Sequence, residues 1–256
     1  MEQTSVSYRF LPRADYQQTW DLQTSIHQAL VNKKRARRKA EKAEAEIDTS
    51  PQAHQLLFVE HAPVYTLGKS GSMDHLLLNE QQLEAGGFQF YKINRGGDIT
   101  YHGPGQLVAY PILDLDEFFT DVHRYVRSLE EIVIQMLAHF GLPEAYREKG
   151  YTGVWLPATG QLPKRKICAI GVHLSRWVTM HGLALNVHPD LQHFDHIIPC
   201  GIQEADRSVT SMAKELSRPI DLQEVIPVLK EKFEEVFDCA LKNYAPTPTK
   251  VTQNSI

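Results

Sequence analysis

YTGVWLPATGQLPKRKICAIGVHLSRWVTMHGLALNV (151–187) reads as three strands in succession, YTGVWLP, KICAIGVHL and MHGLALNV, separated only by GQLPKR and SRWVT. The runs are mostly apolar and the connectors too short for a helix. Working outward, residues 121–140 place Val122, Tyr125, Val126, Leu129, Val133, Met136, Leu137 and Phe140 at helical spacing, closed by Gly141 and Pro143. Upstream lie a strand at 106–113, whose Pro111 marks an edge or a strand end, a strand at 88–95 and a short helix at 79–85. Residues 56–71 give a strand, a turn at Ala62 and Pro63, and a second strand. Residues 5–11 form another strand, and from Asp15 a helix has Tyr16, Trp20, Ile26 and Leu30 available for burial. Downstream, helices are expected at 208–216 and at 221–241, the latter with an Asp221 cap and Glu224 three residues on. Strands and helices come in irregular order, which predicts α+β rather than a doubly wound parallel sheet.

The chain has 256 residues and is 42% hydrophobic, enough for one substantial core. No repeat and no Gly/Pro/Ser linker divides it, so residues 1–256 are expected to form a single domain with a charged helical extension at about 31–50. In that extension, KKRARRKAEKAEAE (33–46) carries seven basic and three acidic side chains. It reads as a solvated helix face or as a docking surface for an acidic partner. The net charge of −4 gives no chain-wide basic field for nucleic acid. Three cysteines make no disulfide framework and point to a reducing compartment, the cytoplasm. Neither a signal sequence nor a run of about 18 apolar residues appears, so secretion and membrane spanning are not expected.

Three clusters carry chemistry. RGGDITYHGPGQLVAYPILDL (95–115) brackets Tyr101 and His102 with glycines that let backbone approach a ligand. It matches neither GxGxxG nor GxxxxGK[ST], so phosphate cradling is not supported. RKICAIGV (165–172) puts Lys166 beside an apolar strand, either as a flank with its ammonium in water or as a lysine held in a pocket. IIPCGI (197–202) sets Cys200 between a proline and a glycine, a context for an accessible thiol, whereas Cys168 and Cys239 sit inside apolar patterns and read as structural. His188, His193, His196 and Cys200 are zinc-type ligands, but their H-x4-H-x2-H-x3-C spacing matches no zinc signature, and no metal is expected.

Together, RGGDITYHGPGQLVAYPILDL, KICAIGVHLSRWVTMHGLALNV and DLQHFDHIIPCGI resemble the lipoyl(octanoyl) transferases of lipoate biosynthesis, as do HAPVYTLGKSG (61–71) and GVWLP (153–157). The similarity runs in order over about 56–216; the charged stretch at 33–46 lies outside it, and the extra histidines His188, His193 and His196 depart from the pattern. It implies a single α+β domain related to the biotin and lipoate protein ligase catalytic fold, a mixed sheet with flanking helices. It implies octanoyl-acyl-carrier protein as donor, and as acceptor a lysine on the lipoyl domains of 2-oxoacid dehydrogenases or on glycine cleavage H protein, with no cofactor. Carried over by position, Cys200 is the acyl-thioester nucleophile and Lys166 its partner. Arg95, Gly96, Gly97, Asp98, Ile99, Thr100, Tyr101 and His102, with Ala169, Ile170, Gly171, Gly182, Leu183 and Ala184, line the acyl site. A thiol of pKa about 8.5 is only about 3% ionised at pH 7, so a neighbouring ammonium is needed to favour the thiolate. An ATP-dependent lipoate or octanoate ligase, a Cys/Lys thioesterase or amidase, and a non-catalytic carrier-binding module are the alternatives.

Overall fold

Strand alternation sets the layers. In β6 (Gln106–Ile112), Leu107 and Ala109 enter one core cluster while Val108, Tyr110 and Ile112 enter another on the opposite face, the pattern of a strand buried on both sides. The computed structural model describes residues 3–50, 52–198 and 207–245. Among them, β6 stands inside a nine-stranded sheet. Its order is β12 (Cys239–Asn243), β1 (Thr4–Ala14), β2 (Gln55–His61), β6, β10 (Val178–Asn186), β9 (Lys164–Ser175), β8 (Tyr151–Leu156) and β7 (Tyr146–Glu148), and β11 (Arg207–Val209) pairs with β9. β1 runs parallel to β12 and β2, and β11 to β9; the other pairs are antiparallel, so the sheet is mixed. The three strands read in 151–187 are β8, β9 and β10, side by side.

Helices α3 (Val122–His139) and α5 (Leu222–Phe237) pack together over the Leu107 face, and α1 (Tyr16–Lys42) covers the Tyr110 face against β6 and β10. A second sheet, ordered β4 (Gln89–Lys92), β3 (Val64–Leu67), β5 (Ile99–His102), carries its own cluster around Tyr65, Tyr101 and Phe194. α2 (Glu80–Ala85) starts at a capping box on Asn79, and α4 (Met212–Leu216) at Ser211. Among the described residues, no helix is long and apolar enough to cross a membrane.

Three expectations change, and the two readings of Pro111 reduce to one. The stretch 208–216 is not one helix: Arg207, Ser208 and Val209 pair with Lys164, Arg165 and Lys166, so tertiary pairing overrides local helix preference before α4 begins. The last helix stops at Phe237, where Asp238 takes a left-handed φ of 49°, and Cys239 starts β12 instead of lying in the helix. Pro111 does not mark an edge, because β6 lies between β2 and β10; it is the penultimate residue of the strand, where the ladder is ending.

The charged stretch is not solvated all round. α1 ends at Lys42, and Lys34 is buried with its ammonium 2.6 Å from both Asp114 and Asp116. Arg37 donates to Asp48 O at 2.8 Å and pairs with Glu117 at 3.5 Å. These basic side chains staple the helix to the turn after β6.

Candidate active site

A cavity of about 470 Å³ lies against the α1 side of the main sheet. Three segments that are remote in sequence build it. From the loop before β5 come Arg95, Gly96, Gly97 and Asp98, and from β5 itself Ile99, Thr100 and His102; β9 supplies Lys166, Ala169, Ile170 and Gly171, and β10 supplies Gly182, Leu183 and Ala184. The sequence-predicted residues are thus brought to one cavity, with two exceptions. Cys200 lies outside the described residues. Tyr101 does not line the cavity; it sits in the cluster of the smaller sheet, its hydroxyl 2.7 Å from His193 Nδ1. Neighbours on a strand face opposite ways, so Tyr101 and His102 diverge.

The glycine loop is pinned from both sides. Arg95 is buried and donates from Nη2 to Thr66 O at 2.7 Å and Thr66 Oγ1 at 3.0 Å, and from Nη1 to Gly96 O at 3.0 Å. Asp98 accepts from Ile99 N at 2.7 Å and lies 2.6 Å from His75 Nδ1. Gly96 N donates to Val172 O at 2.9 Å, seating the loop on β9. Gly171 permits that approach: a Cβ there would stand 2.8 Å from Gly96 O. Arg95 and Asp98 therefore hold the loop that walls the cavity.

Lys166 is half-buried on β9, its ammonium 4.8 Å from the centroid of the Trp155 ring. Its carbonyl accepts from Thr210 N at 3.0 Å, so the strand that begins after the 199–206 segment is tied to the lysine's backbone. Next to it, Arg165 is buried in a two-pronged pair with Glu215, at 2.7 and 3.0 Å. Thr210 and Arg165 also fix Glu215 as a carboxylate: their hydrogen bonds hold its pKa below the ordinary value against the opposing effect of burial.

Cys168 and Cys239 are free and buried. Burial pushes the Cys168 thiol far up and the Cys239 thiol up to about 12, which leaves neither as a ready thiolate.

Sequence reasoning missed a second set of polar residues in the cavity, beside Arg95, Asp98, Thr100, His102 and Lys166. Tyr16, Gln106, Tyr110, His181 and Asn186 all line it. Gln106 and Tyr110 were accessible as one face of the QLVAYPIL strand by its period of two; Tyr16 and His181 come from elements 165 residues apart, with no local signal. Burial holds His181 down to about 3 and His61, behind the wall, to about 4. His102 is held well below its ordinary value by burial, then by His61 and Arg95, against a raising contact from Gln106. These imidazoles are neutral at neutral pH.

Outside the cavity, His196 Nδ1 lies 2.9 Å from Tyr65 Oη, so His193 and His196 brace the aromatic cluster around Tyr101. Among the described residues, no three His, Cys, Asp or Glu side chains converge to hold a metal ion.

Residues 15–234 match the family model described as the lipoyl protein ligase A/B catalytic domain. An octanoyltransferase of Christiangramia forsetii is 52% identical over 238 residues, covering 93% of this chain and 97% of that protein. One from Flavobacterium johnsoniae is 53% identical over 232 residues, covering 90% and 96%. Among solved structures, the bi-partite lipoate protein ligase of Thermoplasma acidophilum, described with its E2 lipoyl domain, superposes with a TM-score of 0.66 at 15% identity, over 97% of this chain and 89% of that one. A lipoate-protein ligase A bound with ATP gives 0.65 at 15% identity, over 96% and 90%. At that identity the likeness is one of fold: the mixed sheet with flanking helices is that of the lipoate ligases.

Proposed function

The chain belongs to the lipoyl protein ligase A/B catalytic-domain family and is an acyltransferase that moves octanoyl groups in protein lipoylation; from that premise we propose that the acyl group passes through a thioester on Cys200, with Lys166 as acid and base. The observation that carries this is the position of Lys166, which opens into the same cavity as the Arg95–His102 loop and the glycine-bearing stretches of β9 and β10. Val108 and Ala184, on the same face of the sheet, supply apolar wall for an acyl chain, worth about 0.8 kcal/mol for each methylene removed from water.

The donor is octanoyl-acyl-carrier protein. The Cys200 thiolate attacks the thioester carbonyl, the bond to the pantetheine sulfur breaks, and the Lys166 ammonium protonates the departing thiolate. The amine of a lysine on a lipoyl-accepting domain, from a 2-oxoacid dehydrogenase or glycine cleavage H protein, then attacks the acyl-enzyme. The C–N bond forms, the C–S bond to Cys200 breaks, and neutral Lys166 takes the proton that the nitrogen loses. Exchange between thioesters is nearly balanced and thioester to amide runs downhill, so the sequence of steps needs no nucleotide. A cytoplasmic setting accords with the free thiols of Cys168 and Cys239.

Intact-mass spectrometry after incubation with octanoyl-carrier protein tests the route. An octanoyl adduct on Cys200 is expected, discharged by a lipoyl domain without ATP, absent in Cys200→Ala and formed about 10²- to 10⁴-fold more slowly in Lys166→Ala. Strict dependence on ATP with free octanoate would move the chain to the ligase chemistry of its structural neighbours. Discharge of the adduct to water alone would make it a thioesterase.

A further inference from the structure

His102 is buried with only one ring nitrogen partnered. Its Nδ1 lies 3.2 Å from Gln106 Oε1, while Nε2 has no hydrogen bond among the described residues although the ring lines the cavity. What Gln106 does with its nitrogen fixes the direction of that contact. Gln106 Nε2 donates to Tyr101 O at 3.1 Å and to Asn186 Oδ1 at 2.9 Å, using both hydrogens, so the oxygen faces the ring and accepts. Asn186 is oriented in turn, because its Nδ2 donates to Thr210 O at 2.9 Å, and Thr210 N donates to Lys166 O at 3.0 Å. Gln106, Asn186 and Thr210 are all buried, and every amide in the series has one orientation that satisfies it. His102 therefore donates from Nδ1 and presents an unprotonated Nε2 to the cavity.

We propose that His102 Nε2 accepts a hydrogen bond from the amine of the incoming acceptor lysine, and that Gln106 and Asn186 are positioning residues that hold the imidazole in the tautomer able to do so. This rests on the acyl-transfer role assigned to the site. An acyl chain and its thioester carbonyl offer no donor to a bare imidazole nitrogen. The attacking amine does: its lone pair points at the carbonyl carbon, one N–H turns to Nε2, and the proton released on C–N formation goes to Lys166. The burial of the ring, and after it His61 and Arg95, keep His102 from taking that proton itself. His102 orients the nucleophile and its own protonation does not change.

Steady-state kinetics separate the two halves of the reaction, since kcat/KM for the donor reports acylation and kcat/KM for a lipoyl-domain acceptor reports the amine's attack. His102→Leu should lower the acceptor value about ten- to a hundredfold more than the donor value. His102→Gln, which keeps an acceptor atom, should restore most of it. A loss confined to the donor value would assign the contact to the donor's pantetheine amide and overturn the proposal, as would equal losses in both values or no loss in either. Nitrogen NMR of the wild-type protein reads the tautomer without turnover: Nδ1 protonated and Nε2 bare at neutral pH is expected, and Gln106→Leu should give a mixture of tautomers. A protonated Nε2 in the wild type overturns the inference whatever happens at Cys200. An acceptor-specific loss without any Cys200 adduct would instead overturn the thioester route alone.

Discussion

Gly182 leaves no room for even a methyl group: a Cβ would stand 2.1 Å from Ala109 O and 2.8 Å from Pro111 Cδ, both on the neighbouring strand. Gly182→Ala must push β6 and β10 apart at the cavity floor. Destabilisation of about 1–3 kcal/mol is expected, read as a lower urea midpoint. Gly96, a cavity residue too, behaves differently, since its added Cβ would make only an ordinary contact 3.5 Å from Val172 O. Gly96→Ala should keep the midpoint within about 0.5 kcal/mol of wild type, so any loss of transfer in that variant reports on the site and not on the fold. Matching midpoints for the two alanine variants would contradict this distinction.

Among the elements, α1 shows how a charge run can be read and still misplaced. Its pattern predicts a helix correctly, and its basic residues suggest a face for water or for an acidic partner. Tertiary packing instead uses Lys34 and Arg37 to close the helix onto the turn at 114–117, leaving Arg35, Lys39 and Lys42 exposed. Lys34→Met would strip the ammonium from buried Asp114, whose carboxylate keeps, among the described residues, only the neutral donors Gln52 Nε2 and Asp116 N, each at 3.1 Å. A cost of about 3–5 kcal/mol follows from an uncompensated buried charge, against about 0.5 kcal/mol or less for Arg35→Ala. Urea denaturation of the two variants measures the difference directly. Similar midpoints would return the whole stretch to a solvated face.

For the molecule as a whole, the buried imidazoles of His61, His102 and His181 make stability depend on pH. Their folded pKa values lie below the ordinary 6.5, at about 4 for His61 and about 3 for His181, chiefly because burial penalises the charged ring. The unfolded chain therefore binds protons that the folded chain refuses once pH falls below about 6.5. Stability should be complete above that pH and decline toward pH 4, by about 1.4 kcal/mol per pH unit for each histidine within the window. Unfolding free energies at pH 7.5, 6 and 5 test it, and a flat profile would mean that these rings are protonated or solvated in the fold.

The sequence by itself determined the α+β class, the succession β8, β9, β10, the helix starts at Asp15, Asn79, Asp121 and Asp221, and the short motifs that the cavity gathers, because these depend on local periodicity and on residues near one another in the chain. Only the tertiary structure decided that 207–209 and 239–243 are strands, since those segments take their hydrogen bonds from β9 and β1. It also decided that Tyr101 turns from the cavity while Gln106, Asn186 and His181 turn into it. Strand pairing partners and the direction of buried polar side chains are set by contacts across long sequence separations, and no local pattern encodes them.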